Sequence, residues 1–271
     1  DGYDDLVVGA PGDVVGSATD AGQIHVIYGS KNGLRSTGND RFHQDTTGVL
    51  EVAGQGDRFG DSLAAGDFDG DGFSDIAVGV PHEDDGSAKS AGKVQVFFGS
   101  SSGVVVTGNE LWSQASPGVA SGTKKNDRFG ASLAAADFDD DGFADLAIGV
   151  PGEDIPGEAN TGAVNLLYGR SSGLHPRSSN LLCQGHNDLV GLPEAGDRFG
   201  AKLRAIDVDG NNKWDLFVGM PGEDLGAVDA GAAILIPGSK SGLNPAESSV
   251  WHQDTDGVEG TVEAGDGFGK M

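Results

Sequence analysis

Short apolar runs recur along the chain at a fixed spacing. "DIAVGVP" (75–81), "DLAIGVP" (145–151) and "DLFVGMP" (215–221) each start on aspartate and stop at proline. Runs this short, aliphatic and bounded by turn residues predict buried β-strands. A second set, "GQIHVIYGS", "GKVQVFFGS", "GAVNLLYGR" and "GAAILIPGS", begins at Gly22, Gly92, Gly162 and Gly231. Apolar and other residues partly alternate there, as in a strand with one buried face. A third set precedes the acidic loops: "RFGDSLAAGD" (58–67), "RFGASLAAAD" (128–137) and "RFGAKLRAID" (198–207), with "GFGKM" at the end. The fourth set is short: "RFHQ", "LWSQ", "LLCQ" and "VWHQ", ending at Gln44, Gln114, Gln184 and Gln253.

Each unit therefore holds four short strands joined by glycine-rich turns, and no segment has a helical period. Parallel βαβ units would need a helix in every crossover. The fold class predicted is all-β: a β-propeller of four-stranded antiparallel blades. One domain, 1–271, divides into units at approximately 1–57, 58–127, 128–197 and 198–267, with a stub at 268–271. About four blades are visible, by the usual range of propeller sizes either a small ring or part of a larger one. A larger ring is the preferred expectation, because both ends cut a repeat in mid-element.

The loops between the first and second strands carry the chemistry. "DFDGDGFSD" (67–75) reads D-x-D-x-D-G-x-x-D, and "DFDDDGFAD" (137–145) and "DVDGNNKWD" (207–215) follow at intervals of 70 residues. Like charges at this density repel, so a cation is the natural partner. Acids at alternate positions can point inward, glycine permits the sharp turn, and many hard oxygen ligands suit Ca²⁺ better than Mg²⁺. The expected ligands of the first site are Asp67, Asp69, Asp71 and Asp75 with the Phe73 carbonyl. Those of the second are Asp137, Asp139, Asp141 and Asp145 with the Phe143 carbonyl. Those of the third are Asp207, Asp209, Asn211 and Asp215 with the Lys213 carbonyl. A fourth, at Asp1, Tyr3 and Asp5, lacks its first two ligand positions and should be incomplete. Asn211 removes one charge, so the third site should bind more weakly than the second. An EF-hand is excluded: position twelve is Val78, Ile148 or Val218 instead of glutamate, and strands follow.

The formal net charge of −25 argues against nucleic acid or an anionic membrane as partner. The single cysteine, Cys183, allows no internal disulfide. No apolar run approaches the roughly 18 residues of a membrane span. No signal peptide is evident and the first residue is not methionine, so the chain reads as mature or trimmed.

Phe59-Gly60, the acidic loop and then "GVP", with "GAP" itself at Gly9-Ala10-Pro11, resemble the FG-GAP repeat of integrin α-subunit propellers and their bacterial relatives. The resemblance covers essentially the whole chain. It implies that the larger ring is seven-bladed, with calcium in the loops between first and second strands and a protein or glycan ligand on the opposite face. The function expected is an extracellular adhesion or recognition module, secreted or at the cell surface. The alternative is a carbohydrate-binding propeller attached to a secreted hydrolase. Catalytic and organic-cofactor residues are expected to be none. G-x-S-x-G occurs at 99–103 and 169–173, but in the turn between third and fourth strands, without the strand–helix elbow a nucleophile needs.

Overall fold

The computed structural model describes residues 2–186 and 188–270, with only the backbone at 178–180. The first sheet is β1 (Leu6–Ala10), β2 (Gln23–Ile27) and β3 (Asp40–Phe42). The second is β4 (Ser62–Gly66), β5 (Asp75–Val80), β6 (Lys93–Phe98) and β7 (Val105–Trp112). The third repeats it with β8 (Ser132–Ala136), β9 (Asp145–Val150), β10 (Ala163–Tyr168) and β11 (His175–Leu182). The fourth starts with β12 (Lys202–Ile206), β13 (Asp215–Met220) and β14 (Ala232–Ile236). A two-stranded turn, β15 (Gly238–Ser239) with β16 (Gly242–Leu243), leads to its last strand, β17 (Ser249–Trp251). Sequential strands pair antiparallel in every sheet. Helix among the described residues is limited to a 3₁₀ turn at Pro245–Glu247.

Why the middle strands read as continuous apolar runs is now plain. Every residue of β5 and of β9 is buried, because sheets cover both faces. β4 packs on β8 and β8 on β12, so the sheets stack as successive blades. Three apolar clusters form, one at each junction. Ile24, Val26 and Phe59 meet Ile76 and Phe97 at the first, and Val94 and Phe129 meet Ile148 and Leu167 at the second. Val164 and Phe199 meet Val218 and Ile234 at the third.

The Phe-Gly pair is the stitch between blades. Phe59, Phe129 and Phe199 are fully buried. The Phe59 amide donates to the Ala21 carbonyl at 2.8 Å, and Phe129 and Phe199 do the same to Ala91 and Thr161. The adjoining Gly22, at φ 87°, lies so close to the Phe59 backbone that a Cβ there would overlap it. The next glycine, Gly60, puts its carbonyl against Gly9, the glycine of "GAP" in the preceding blade. The same approach joins Gly130 to Gly79, Gly200 to Gly149 and Gly269 to Gly219.

Each junction also has a polar side. Gln44, Gln114 and Gln184 donate from their side-chain amides to Glu83, Glu153 and Glu223 of the next blade at 2.5, 2.6 and 2.9 Å. Beside them lie Asp57, Asp127 and Asp197, all buried. Burial, with Glu153 and Glu223 adding to it, pushes Asp127 and Asp197 each up to about 7.

Two outcomes follow for stability. Phe199→Ala should cost about 3–5 kcal/mol, the usual penalty for emptying a buried aromatic site, read by urea unfolding. The folded chain holds a proton on Asp127 and Asp197 up to about pH 7, whereas the unfolded chain releases it near 3.8. Their contribution is therefore fully present below the unfolded value and is lost as pH rises through about 7. The urea midpoint should fall over that window, and Asp197→Asn, which mimics the protonated form, should flatten part of the fall.

Candidate metal centre

The acidic loops occupy the same place in three blades: 67–75 joins β4 to β5, 137–145 joins β8 to β9, and 207–215 joins β12 to β13. In the first, Asp67 organises the backbone. One of its oxygens accepts the amides of Gly70 (2.7 Å) and Asp71 (3.1 Å), the other that of Gly72 (3.0 Å). Asp69 accepts from Asp71, and Asp71 from Phe73. Asp207, Asp209 and Asn211 repeat these bonds in the third loop. The turn needs left-handed backbone, which Gly70 and Gly72 supply in the first loop. Asp140 (φ 61°) and Asn212 (φ 60°) supply it in the others, as short polar side chains can.

The last aspartate of each loop is a different kind of residue. Asp75 is fully buried, and its two oxygens accept the amides of Phe68 (2.8 Å) and Gly99 (2.8 Å). Asp145 does the same with Phe138 and Gly169, and Asp215 with Val208 and Gly238. Each thus ties the acidic loop to the turn after its blade's third strand, which puts those two loops on one face. Burial pushes Asp75 up to about 6 and Asp145 to about 7, with the neighbouring loop acids adding to the rise.

Three carboxylate groups come together closely enough to share one ion. They are Asp67, Asp69 and Asp71; Asp137, Asp139 and Asp145; and Asp207, Asp209 and Asp215, each with ligand oxygens within 4.8 Å of one another. Asp139 Oδ1 is buried and has no hydrogen-bond partner. An all-oxygen, multiply charged donor set with an orphaned buried oxygen fits a hard cation such as Ca²⁺. Asp75 lies outside the first group and Asp141 outside the second. Of the partial fourth loop, Asp1 lies outside the described residues. Asp5 accepts the Gly29 amide at 2.8 Å, as Asp75 accepts that of Gly99, and the Tyr3 side chain is exposed.

Sequence reasoning grouped all four acids of a loop as equals and missed the double amide bond of the last one. The signal was available: Asp75, Asp145 and Asp215 open apolar strands, where a carboxylate must be fully hydrogen-bonded to be buried. Cys183 is buried and its thiol is pushed up to about 11 by burial, which suits packing and opposes a nucleophile's role.

Stacked antiparallel sheets, three of them four-stranded with an acidic loop after the first strand, define the class, blades of a β-propeller. The FG-GAP repeat family model matches residues 1–27, 59–97 and 129–167. The chain carries FG-GAP repeats and is an integrin-like propeller. It is 33% identical over 227 residues to the phosphatidylinositol-glycan-specific phospholipase D of Bos taurus, covering 82% of this chain and 25% of that protein. It is 31% identical over 252 residues to integrin alpha-5 of Xenopus laevis, covering 90% of this chain and 21% of that protein. The chain thus spans well under half the length of these relatives. Among solved structures, a rhamnogalacturonan lyase of Bacillus licheniformis aligns at TM-score 0.41 and 11% identity, covering 94% of this chain and 48% of that one. No helix among the described residues is long and apolar enough to cross a membrane, which says nothing of a β-barrel.

If Asp75 is a buried structural acceptor, Asp75→Ala should destabilise the fold even in EDTA. Two buried amides lose their acceptor, at about 1–3 kcal/mol each. Urea unfolding of the two chains in EDTA measures it, and equal midpoints would show that the bonds contribute nothing.

Proposed function

We propose that each complete acidic loop holds one Ca²⁺ and that the protein is a calcium-stabilised recognition module, secreted or at the cell surface. The observation that carries the reading is the recurrence of a compact carboxylate triad at the same strand junction in three blades. The assigned ligands are Asp67, Asp69, Asp71 and Asp75 with the Phe73 carbonyl; Asp137, Asp139, Asp141 and Asp145 with that of Phe143; and Asp207, Asp209, Asn211 and Asp215 with that of Lys213. The ion's contribution is to offset the repulsion among these acids and so hold the turn between two paired strands.

Recognition belongs, on this reading, to the opposite face, where the loops after the middle strands and the linkers between blades lie. A protein or glycan is the partner class proposed. The net charge of −25 disfavours nucleic acid. The presence of integrins among the relatives supports adhesion. The phospholipase D relatives show that such a segment also occurs within an enzyme.

Ion binding to the folded state adds about 2.7 kcal/mol per site at a hundredfold excess over Kd. Three sites would then rival the roughly 5–15 kcal/mol of a whole domain. The melting temperature should fall by on the order of 15 °C in EDTA and recover with Ca²⁺, with Mg²⁺ a poor substitute. Identical melting in EDTA and in calcium would sink the assignment. A glycan array on the calcium-loaded protein separates glycan from protein partners.

A further inference from the structure

The second loop differs from its neighbours in its company. It is the most acidic of the three, with Asp137, Asp139, Asp140, Asp141 and Asp145. Two basic side chains reach into it. The Arg177 guanidinium, from β11 of the same blade, donates to Asp139 Oδ2 and stands 3.6 Å from Asp141 Oδ2. Lys213, from the third loop, pairs with Asp140 at 2.5 Å. Arg177 also lies over the Tyr168 ring, 4.0 Å from its centroid, an attractive seat for a cation.

Asp141 differs in position from its counterpart in the first loop. Its counterpart Asp71 belongs to the compact group of the first loop, whereas Asp141 stands outside the group of the second. The residue matching Arg177 in the preceding blade is Thr107: His175 pairs with Tyr168 as Val105 pairs with Phe98, and Arg177 and Thr107 each follow two residues on. Among the described residues, only the second loop has a guanidinium paired with its acids.

We propose that Arg177 is an internal competitor for the cation of the second loop. This rests on the calcium reading above. In the absence of a divalent ion Arg177 neutralises Asp139 and Asp141. Ion entry must take Asp141 from it, and the guanidinium remains on the Tyr168 face. The larger ligand charge of the second loop over the third is thereby offset in part.

Calorimetric titration of the intact chain with Ca²⁺ tests this, comparing wild type with Arg177→Gln. Arg177 is a half-exposed surface side chain, so the substitution leaves the core untouched. One site should tighten roughly tenfold, the scale of removing a unit charge a few ångströms from the ion in a partly screened setting. The others should not move, and adding Asp141→Asn should abolish the gain. In EDTA, Arg177→Gln should melt below wild type, and in saturating Ca²⁺ alongside it. Unchanged or weaker binding in Arg177→Gln, with wild type binding normally, overturns this inference alone. A wild-type chain that takes up no Ca²⁺ overturns the calcium reading and this inference with it.

Discussion

The structure depends on one close approach of backbone to backbone. The glycine of each Phe-Gly pair lays its carbonyl on the strand glycine of the preceding blade's "GAP"-type segment, with no room for a single methyl group between them. The two halves of the repeat signature are thus the two sides of one contact. In Gly60 and Gly130 the same residue also donates its amide to the middle strand of its own blade, to Gly79 and Gly149 at 3.1 Å each. A Ser hydroxyl, Ser62 or Ser132, caps the packed carbonyl of Gly130 or Gly200 at 2.7 Å. Burying these carbonyls against a neighbouring sheet would be costly if they were unpaired. Once the backbones lie this close, the phenylalanine beside each glycine has to enter the space between blades.

That geometry separates two kinds of function by face. The stitch fixes each blade against the next, so the loops at the two ends of the strands are brought to set positions. On one face this lets the carboxylates of each acidic loop converge. Folding imposes their proximity, and the strands on both sides prevent the loop from relieving the repulsion by opening. On the other face the Gln–Glu bonds and the buried aspartates Asp57, Asp127 and Asp197 make a polar seam between blades. Its glutamates are acidic for structural reasons: Glu83, Glu153 and Glu223 each receive an amide from the blade before.

Fold and candidate site were legible in the sequence to different depths. The strands, their order and the acidic loops could be read because each signal is local and occurs three or four times. The crowding of acids within each loop could be read because alternate positions in a tight turn come together. The role of Asp75 as acceptor for Gly99 could not be placed as easily, since the partner lies 24 residues away across a strand pair. The same holds for Gln44 and Glu83, which recur visibly but meet only when blades stack, 39 residues apart. Arg177 was invisible for another reason. It has no counterpart in the repeat, and averaging over copies removes a feature that one copy owns.

The loops also touch one another, and the residue through which they do so is the same each time. The ring of Phe143 packs over Gly70 of the preceding loop, where any side chain would collide with it. Lys213 reaches the corresponding residue of the next pair, Asp140, and forms an ion pair there. A backbone bond accompanies the first contact, the Ala144 amide to the Asp67 carbonyl at 2.9 Å. Position seven of one loop therefore rests on position four of the loop before it, through an aromatic face in one junction and a charge in the other. The backbone of that same residue is the one expected to turn its carbonyl toward the ion. Adjacent loops are joined at this point. The join is apolar and indifferent to salt between the first and second loops, and ionic, hence screened by salt, between the second and third.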